Sequence, residues 1–320
     1  MGAERQLVIG VDVGGSKVLA AEVLEGGQLA RSAQRTTPVD TSPRAVEDTL
    51  TEAVGEVADG RAVAAVGLAA AGFVDAMGER VMFAPHLPWR DDPVRARLAE
   101  RWGVQVVMDN DANCAARAEM AFGAGRGVSS ALVVTLGTGI GGAVVVGGEV
   151  VRGHQGMAGE FGHMQVVPDG HPCECGRRGC WEQYCSGRAL VEHARERMGH
   201  QPSLLDELSG GDPAALTGPM VTRAAEDGDL VARDAFAYIG DWLGLGVANL
   251  VAAFDPEIVV VAGGVSAADE RLLAPARETL GRTLVGAAHR EVPPLVAAAL
   301  GPEAGVVGAA ELARSELGGA

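Results

Sequence analysis

Residues 7–17 read LVIGVDVGGSK: an apolar, β-branched run that ends around a lone acid, Asp12, and breaks at Gly14-Gly15. A second apolar run, Val18–Leu24, follows at once, and Gly26-Gly27 turns it into Gln28–Gln34. Such runs bounded by glycine pairs predict strand, turn, strand, turn, strand. The window GVDVGGSK, residues 10–17, comes close to the P-loop pattern, but Ser16 separates Gly15 from Lys17. A P-loop also needs a helix after its glycines, and here a strand pattern follows.

The same plan recurs about 120 residues later, and such repeats indicate duplicated units. Ala131–Leu136 is apolar, Gly137-Thr138-Gly139 turns it, Ala143–Val146 is a second strand, and Gly147-Gly148 leads into Glu149–Val151. GTGIGG, residues 137–142, matches the dinucleotide fingerprint on paper, yet the chain runs on as the strand AVVV, which excludes that fold. Each turn is open to two readings: an ordinary hairpin connection, or a set of backbone N–H groups that a phosphate can approach because no Cβ intervenes. The matching plan and the acid Asp12 favour phosphate, making Asp12, Gly14, Gly15, Gly137, Thr138 and Gly139 candidate phosphate-binding residues. Lys17 is the only lysine among 26 basic side chains, and it stands beside the first turn. An ammonium suits phosphate as a compact point charge.

Between and after these units the pattern is α/β. Helices are expected from Ser42-Pro43 to about Asp59, from Asp92-Pro93 to Trp102, from Asp111 to about Phe122, over 186–199 and 217–253, and from Gly305 to Leu317. Strands are expected at Val63–Ala70, Val104–Met108 and Ile258–Ala262, the last closed by Gly263-Gly264. A domain boundary is expected near residue 112. Residues 1–112 with about 300–320 would form the smaller domain, and 113–299 the larger.

The chain has 320 residues and a formal charge of −16, which disfavours nucleic acid as a partner. The N-terminus lacks the basic and apolar regions of a signal peptide. The uncharged stretch Ala131–Gly148 carries six glycines and reads as strands rather than as a membrane span. A cytoplasmic protein with reduced thiols and no membrane association is expected, and clustered cysteines then point to metal.

CECGRRGC, residues 173–180, holds three of the five cysteines. Cys173 and Cys175 are too close to bridge each other comfortably. The spacing C-x-C-x4-C offers three thiolate ligands on one loop, and a structural zinc site takes a fourth. His154, His163, His171 and Cys185 are within reach. His171 is too near Cys173 in sequence to close the ring easily, and His163 is favoured.

Gly153–Glu182, GHQGMAGEFGHMQVVPDGHPCECGRRGCWE, resembles the signature of the ROK family of sugar kinases and repressors. Asp12-Val-Gly-Gly-Ser-Lys17, Asn110-Asp111, Leu136-Gly-Thr-Gly139 and Val261-Ala-Gly-Gly264 extend the match over nearly the whole chain. The resemblance implies an α/β chain of the actin-like ATPase (RNase H-like) fold, two similar domains with nucleotide and sugar in the cleft between them. It implies that His163, Cys173, Cys175 and Cys180 hold structural Zn2+. It implies that Glu160, His163 and Glu182 face a sugar together with Asn110 and Asp111, and that ATP binds with Mg2+. Asp111 would be the general base, although an Asp at a helix start is also a common N-cap. Glu160 and Glu182 have plain alternatives too, as a loop acid and a helix-start acid. Gly72 would let the sugar approach the backbone. Gly263-Gly264 would face the adenine or ribose, or simply join a strand to a helix. Cys114 is expected in the core, and Cys185 receives no role.

The activity implied is phosphorylation of glucose at its 6-hydroxyl by ATP. Another hexose such as fructose, an N-acetylhexosamine, or polyphosphate as donor are the alternatives. A repressor is disfavoured, because about six residues precede the first strand and the charge is negative. A sugar-binding regulator without chemistry is opposed by Asp111. Assembly into a homo-oligomer, a dimer or tetramer, is expected from the resemblance alone.

Overall fold

The computed structural model of the chain describes residues 6–38 and 42–318. Its elements run in order as β1 (Leu7–Val13), β2 (Lys17–Val23), β3 (Leu29–Thr36), α1 (Pro43–Ala58), β4 (Val63–Ala70), β5 (Phe73–Val74), β6 (Val81–Phe83), β7 (Arg90–Asp92), α2 (Val94–Trp102), β8 (Gln105–Asn110) and α3 (Asp111–Phe122). There follow β9 (Ala131–Leu136), β10 (Ile140–Val146), β11 (Glu149–Val150), α4 (Gly187–Arg197), α5 (Leu204–Leu208), α6 (Gly218–Glu226), α7 (Leu230–Phe254), β12 (Ile258–Ala262), α8 (Glu270–Thr283), β13 (Leu295–Ala297) and α9 (Ala304–Gly318).

Two five-stranded sheets have the same plan, β3-β2-β1-β4-β8 and β11-β10-β9-β12-β13, and β5-β6-β7 form a third, smaller sheet. In the first, β1, β2 and β3 pair antiparallel, while β4 and β8 join parallel to β1. In the second, β10 and β11 pair antiparallel, and β9, β12 and β13 run parallel. Each sheet therefore starts as a meander of hairpins and continues through helical crossovers, the only short route by which parallel strands can follow. The glycine-punctuated repeat in the sequence is the meander half of each sheet.

Contacts divide the chain into two compact units: Met1–Val128, Ala143–Gly159 and Ala299–Ala320 in the first, Ser129–Gly142 and Glu160–Ala298 in the second. The first continues past residue 112 because α3 packs on α9 rather than leaving with the chain that follows.

Strand alternation builds the core of the first unit. Ile9, Val11 and Val13 of β1 meet Val46 and Leu50 of α1 on one face. Val8 meets Val306, Val307 and Ala310 of α9, with Ala115 and Ala118 of α3, on the other. Here α9 lies almost on the backbone of its neighbours. A Cβ on Gly10 would stand 1.9 Å from Val306 O, and one on Gly308 would stand 1.7 Å from Cys114 O. No side chain fits at either position unless the helix moves away.

In the second unit the long helix expected over 217–253 is two helices. Gly228 adopts φ +94°, and Asp229 restarts the chain as an N-cap, its Oδ1 accepting from Ala232 N at 2.8 Å. α7 is long and apolar enough by length and composition to cross a membrane. Its apolar residues, among them Phe236, Leu243, Val247 and Val251, are buried against the rest of the unit, as in a core helix. The uncharged 131–148 stretch forms β9 and β10 with their turns.

Candidate active site

Asp12 sits near the end of β1, opposite Leu19 of β2 and Ala69 of β4. Beyond it the Gly14–Lys17 turn closes through Gly14 N–H donating to Lys17 O at 3.0 Å. Thr37 braces the turn twice: its N–H donates to Ser16 O at 3.0 Å and its Oγ1 to Gly14 O at 2.7 Å. Burial pushes the Asp12 carboxyl up to about 7; the charge of Asp111 adds to this and Lys17 opposes it.

Asn110, not Asp111, is the N-cap of α3. Its Oδ1 accepts from Ala112 N at 2.9 Å and Asn113 N at 3.2 Å. Its Nδ2 donates to Gly72 O at 3.0 Å and to Asp111 Oδ1 at 2.9 Å. Gly72 is itself pressed against the third sheet, where an added Cβ would stand 2.7 Å from Phe83 O. Asp111 occupies the first helical position and accepts on Oδ1 from Ala112 N at 3.0 Å. Burial raises its carboxyl above the ordinary range, and the hydrogen bonds from Ala112, its own N–H and Asn110 oppose that rise. Gly72, Asn110, Asp111, Asp12 and Lys17 thus form one neighbourhood, and relieving Asp111 of capping leaves its carboxylate for other work.

In the second unit, the Gly137–Gly139 turn closes by Gly137 N–H to Gly139 O at 3.0 Å, and the start of α4 docks on it by Gly187 N–H to Gly137 O at 2.8 Å. Gly137 and Thr138 line a cavity of about 620 Å³ together with Gly264, Arg188, Thr222 and Glu226. Gly263, just before, lies against the end of β9 at Leu136. The sequence reading placed Gly137, Thr138 and Gly264 together but missed the wall supplied by α4 and α6. The one local signal for it was Ser186, which caps α4 by accepting from Ala189 N at 3.2 Å.

The ligand atoms of His163, Cys173, Cys175 and Cys180 all lie within 4.8 Å of one another. Cys173 Sγ is 3.7 Å from His163 Nδ1, and Cys175 Sγ is 3.6 Å from Cys180 Sγ. A tetrahedral ion with metal–sulfur bonds of about 2.3 Å sets such edges at roughly 3.8 Å, so this donor set fits a closed four-ligand metal site. The loop is pre-shaped for it: Cys173 N donates to Arg177 O at 2.9 Å, Gly176 N to Cys173 O at 3.0 Å, and Trp181 N to Met164 O at 2.7 Å. Burial pushes the Cys173 thiol up to about 12. Metal binding releases such protons. His171 packs against Tyr184 instead, with centroids 5.0 Å apart and the ring planes tilted by 44°. Cys114 and Cys185 are buried thiols, each raised by burial.

Glu182 touches both this cluster and the turn. Its Oε1 lies 3.2 Å from Cys173 Sγ, and its Oε2 would stand 2.4 Å from a Cβ on Gly139. Glu160 precedes the short turn that carries His163, and its carbonyl accepts from His163 N at 3.2 Å. Nδ1 of His163 is turned to the thiols; with a metal held there, Nε2 would be the nitrogen left to carry a proton.

Comparison with known proteins places the whole chain in one family. The ROK family profile matches residues 8–316. This chain belongs to the ROK family. Among its ROK relatives, the glucokinase of Streptomyces coelicolor is 43% identical over 311 residues, covering 96% of this chain and 98% of that one. A ROK family glucokinase from Streptomyces griseus, solved in complex with glucose and AMPPNP, superposes with a TM-score of 0.88 at 43% identity, covering 97% and 99%. The ROK hexokinase of Thermus thermophilus gives a TM-score of 0.78 at 36% identity, covering 98% and 99%. The fold is accordingly the actin-like ATPase α/β fold, with the strand order of each sheet as described.

Proposed function

We propose that this chain is an ATP-dependent glucokinase that transfers the γ-phosphoryl group to the 6-hydroxyl of glucose. The observation that carries the proposal is the near full-length likeness, at 43% identity, to a protein solved with glucose and AMPPNP. The local geometry is consistent with it. A carboxylate has little power to remove an alcohol proton in the ground state, but it can accept that proton as the bond to phosphorus forms, an effect of about 10²–10⁴ in rate. Asp111 is suited to this. Oδ1 is held by Asn110 Nδ2 and Ala112 N, which leaves Oδ2 to receive the proton, and burial raises the carboxyl toward neutrality.

Asn110 holds Asp111 and Gly72, while Glu160, Glu182 and His163 Nε2 bond the sugar hydroxyls and so reject analogues that lack them. The Gly14-Gly15 and Gly137–Gly139 turns offer N–H groups to the phosphates, Lys17 neutralises charge, and Gly263-Gly264 with the 620 Å³ cavity receives the adenosine. Most of the acceleration comes from such positioning and charge. Asp12, a buried oxygen donor with a raised pKa, is the residue suited to Mg2+, which supplies charge neutralisation at the phosphates when bound. His163, Cys173, Cys175 and Cys180 would hold Zn2+; four protein ligands leave no open position for chemistry, so its contribution is to fix the imidazole. Five unpaired thiols suit the reducing cytoplasm. A homodimer or homotetramer remains the assembly expected of the family, read by sedimentation.

A sugar-phosphate formation assay over a sugar panel, run with ATP and with polyphosphate, tests the proposal. Glucose with ATP should give the highest kcat/KM. A higher value for an N-acetylhexosamine or fructose, or with polyphosphate, would replace glucose or ATP in it, and no sugar phosphate from any sugar with either donor would leave a sugar-binding regulator.

A further inference from the structure

β8 buries Val106, Val107 and Met108 and then, one residue before Asn110, turns a carboxylate inward: Asp109 is 1% exposed. Both oxygens of Asp109 are committed. Oδ1 accepts from Asn110 N at 2.9 Å and from Asn113 Nδ2 at 2.9 Å. Oδ2 accepts from Arg152 Nε at 2.9 Å and Nη2 at 2.8 Å, with Arg117 Nε at 3.9 Å. Arg152 stands at the root of the segment 152–159, which closes on it through Ala158 N–H to Arg152 O at 3.0 Å. That segment lies on β5: a Cβ on Gly156 would stand 2.0 Å from Val74 O. In sequence it leads directly into Glu160 and His163.

Burying a charge pair gains little stability over an apolar pair of similar volume. Such a pair does impose geometry, because a carboxylate gripped by a planar guanidinium fork has one arrangement. Here the fork grips the residue whose other oxygen accepts from the amide of the α3 cap. We infer that Asp109 and Arg152 are a positioning pair for the phosphoryl transfer: Arg152, through Asp109, sets the Asn110–Asp111 turn and registers it against the 152–159 segment. The inference rests on the base role proposed for Asp111. Neither residue touches substrate; their effect passes through Asp111.

Steady-state kinetics of Arg152→Met, Arg152→Lys, Asp109→Asn and the double variant test this, with thermal melts by circular dichroism to confirm that each is folded at the assay temperature. Displacing a reacting group by about 1 Å costs on the order of a hundredfold. Arg152→Met should therefore lower kcat by about that factor and leave KM for glucose and ATP within about threefold, and Arg152→Lys, which keeps charge and one donor, should recover to within about tenfold of wild type. Residues that act as one unit are non-additive, so Asp109→Asn with Arg152→Met should be no slower than the slower single variant. Wild-type kcat in folded Arg152→Met overturns the inference, as do losses that multiply in the double variant or a rise confined to KM. Asp111→Asn run alongside separates the two levels. If it turns over normally, the base role falls; if it is inactive while Arg152→Met is fully active, the positioning pair alone falls.

Discussion

The Gly14–Lys17 and Gly137–Gly139 turns stand at the same place in two sheets of the same strand order, yet the charges around them come from different sources. The first is charged. Asp12 precedes it, Lys17 ends it, and Asp111 is near enough to raise the Asp12 carboxyl. The second is neutral in its own sequence and takes its character from what docks on it: the α4 start at Gly187, the Glu182 carboxylate over Gly139, and a cavity walled by α4 and α6. Duplication of a backbone plan therefore does not duplicate chemistry. Under the proposed function, the charged copy would serve the reacting phosphoryl group and its metal, and the copy beside the cavity the rest of the nucleotide.

If that division is right, the two turns fail differently when altered. Asp12→Asn should have the largest effect, lowering kcat at saturating Mg-ATP by about 10²–10³-fold, the usual cost of one preorganised electrostatic group; a loss under threefold would make the first turn no more reactive than the second. Cys175→Ser should release the metal, read by elemental analysis, and weaken glucose binding about 10–100-fold by calorimetry, the range for altered support of a metal-bound imidazole. Full affinity without metal would detach His163 from the sugar. Gly139→Ala, whose methyl meets Glu182 Oε2, should raise KM for ATP about tenfold with little change in kcat, a difference worth ~1.4 kcal/mol; a fall in kcat alone would give the second turn a reactive role. Lys17→Ala should raise KM for ATP about fivefold, as loss of ~1 kcal/mol does, with KM for glucose unchanged; an equal rise in both would contradict a phosphate contact.

The smallest effect concerns stability. Because burial holds the folded Asp12 carboxyl near 7 against 3.8 unfolded, the folded chain retains a proton that the unfolded chain has lost between those values. The contribution of Asp12 to stability therefore falls as pH rises from about 4 to 7. Free of nucleotide and Mg2+, Asp12→Asn should melt a few degrees above wild type at pH 8, and the gap should close toward pH 4. A constant gap would mean that burial does not perturb Asp12.

Local signals were legible where local physics decides them. The predicted bounds of Val63–Ala70, Asp111–Phe122, Ala131–Leu136 and Ile258–Ala262 coincide with the strands and helix observed, since each is an apolar run closed by glycine or opened by a cap. His163 was separable from His154, His171 and Cys185 by spacing and by the family signature, and the donor atoms do converge. What escaped depends on distant partners. β5, β6 and β7 are two or three residues long and exist because they pair with one another. Thr37 has no local mark as a brace for Gly14, and Asp109 reads as one more polar residue until Arg152, 43 positions on, is seen to hold it. By propensity Asn110 and Asp111 cap α3 equally well, and only the hydrogen bonds show that Asn110 does the capping and leaves Asp111 uncommitted at one oxygen.

The most direct test of the account is one preparation of Asp111→Asn, measured twice: glucose binding by calorimetry and ADP release with saturating ATP. The account predicts a glucose Kd within about threefold of wild type and turnover reduced at least about a hundredfold. Turnover near wild type, or glucose affinity lost in step with it, would contradict the assignment of Asp111 as the base.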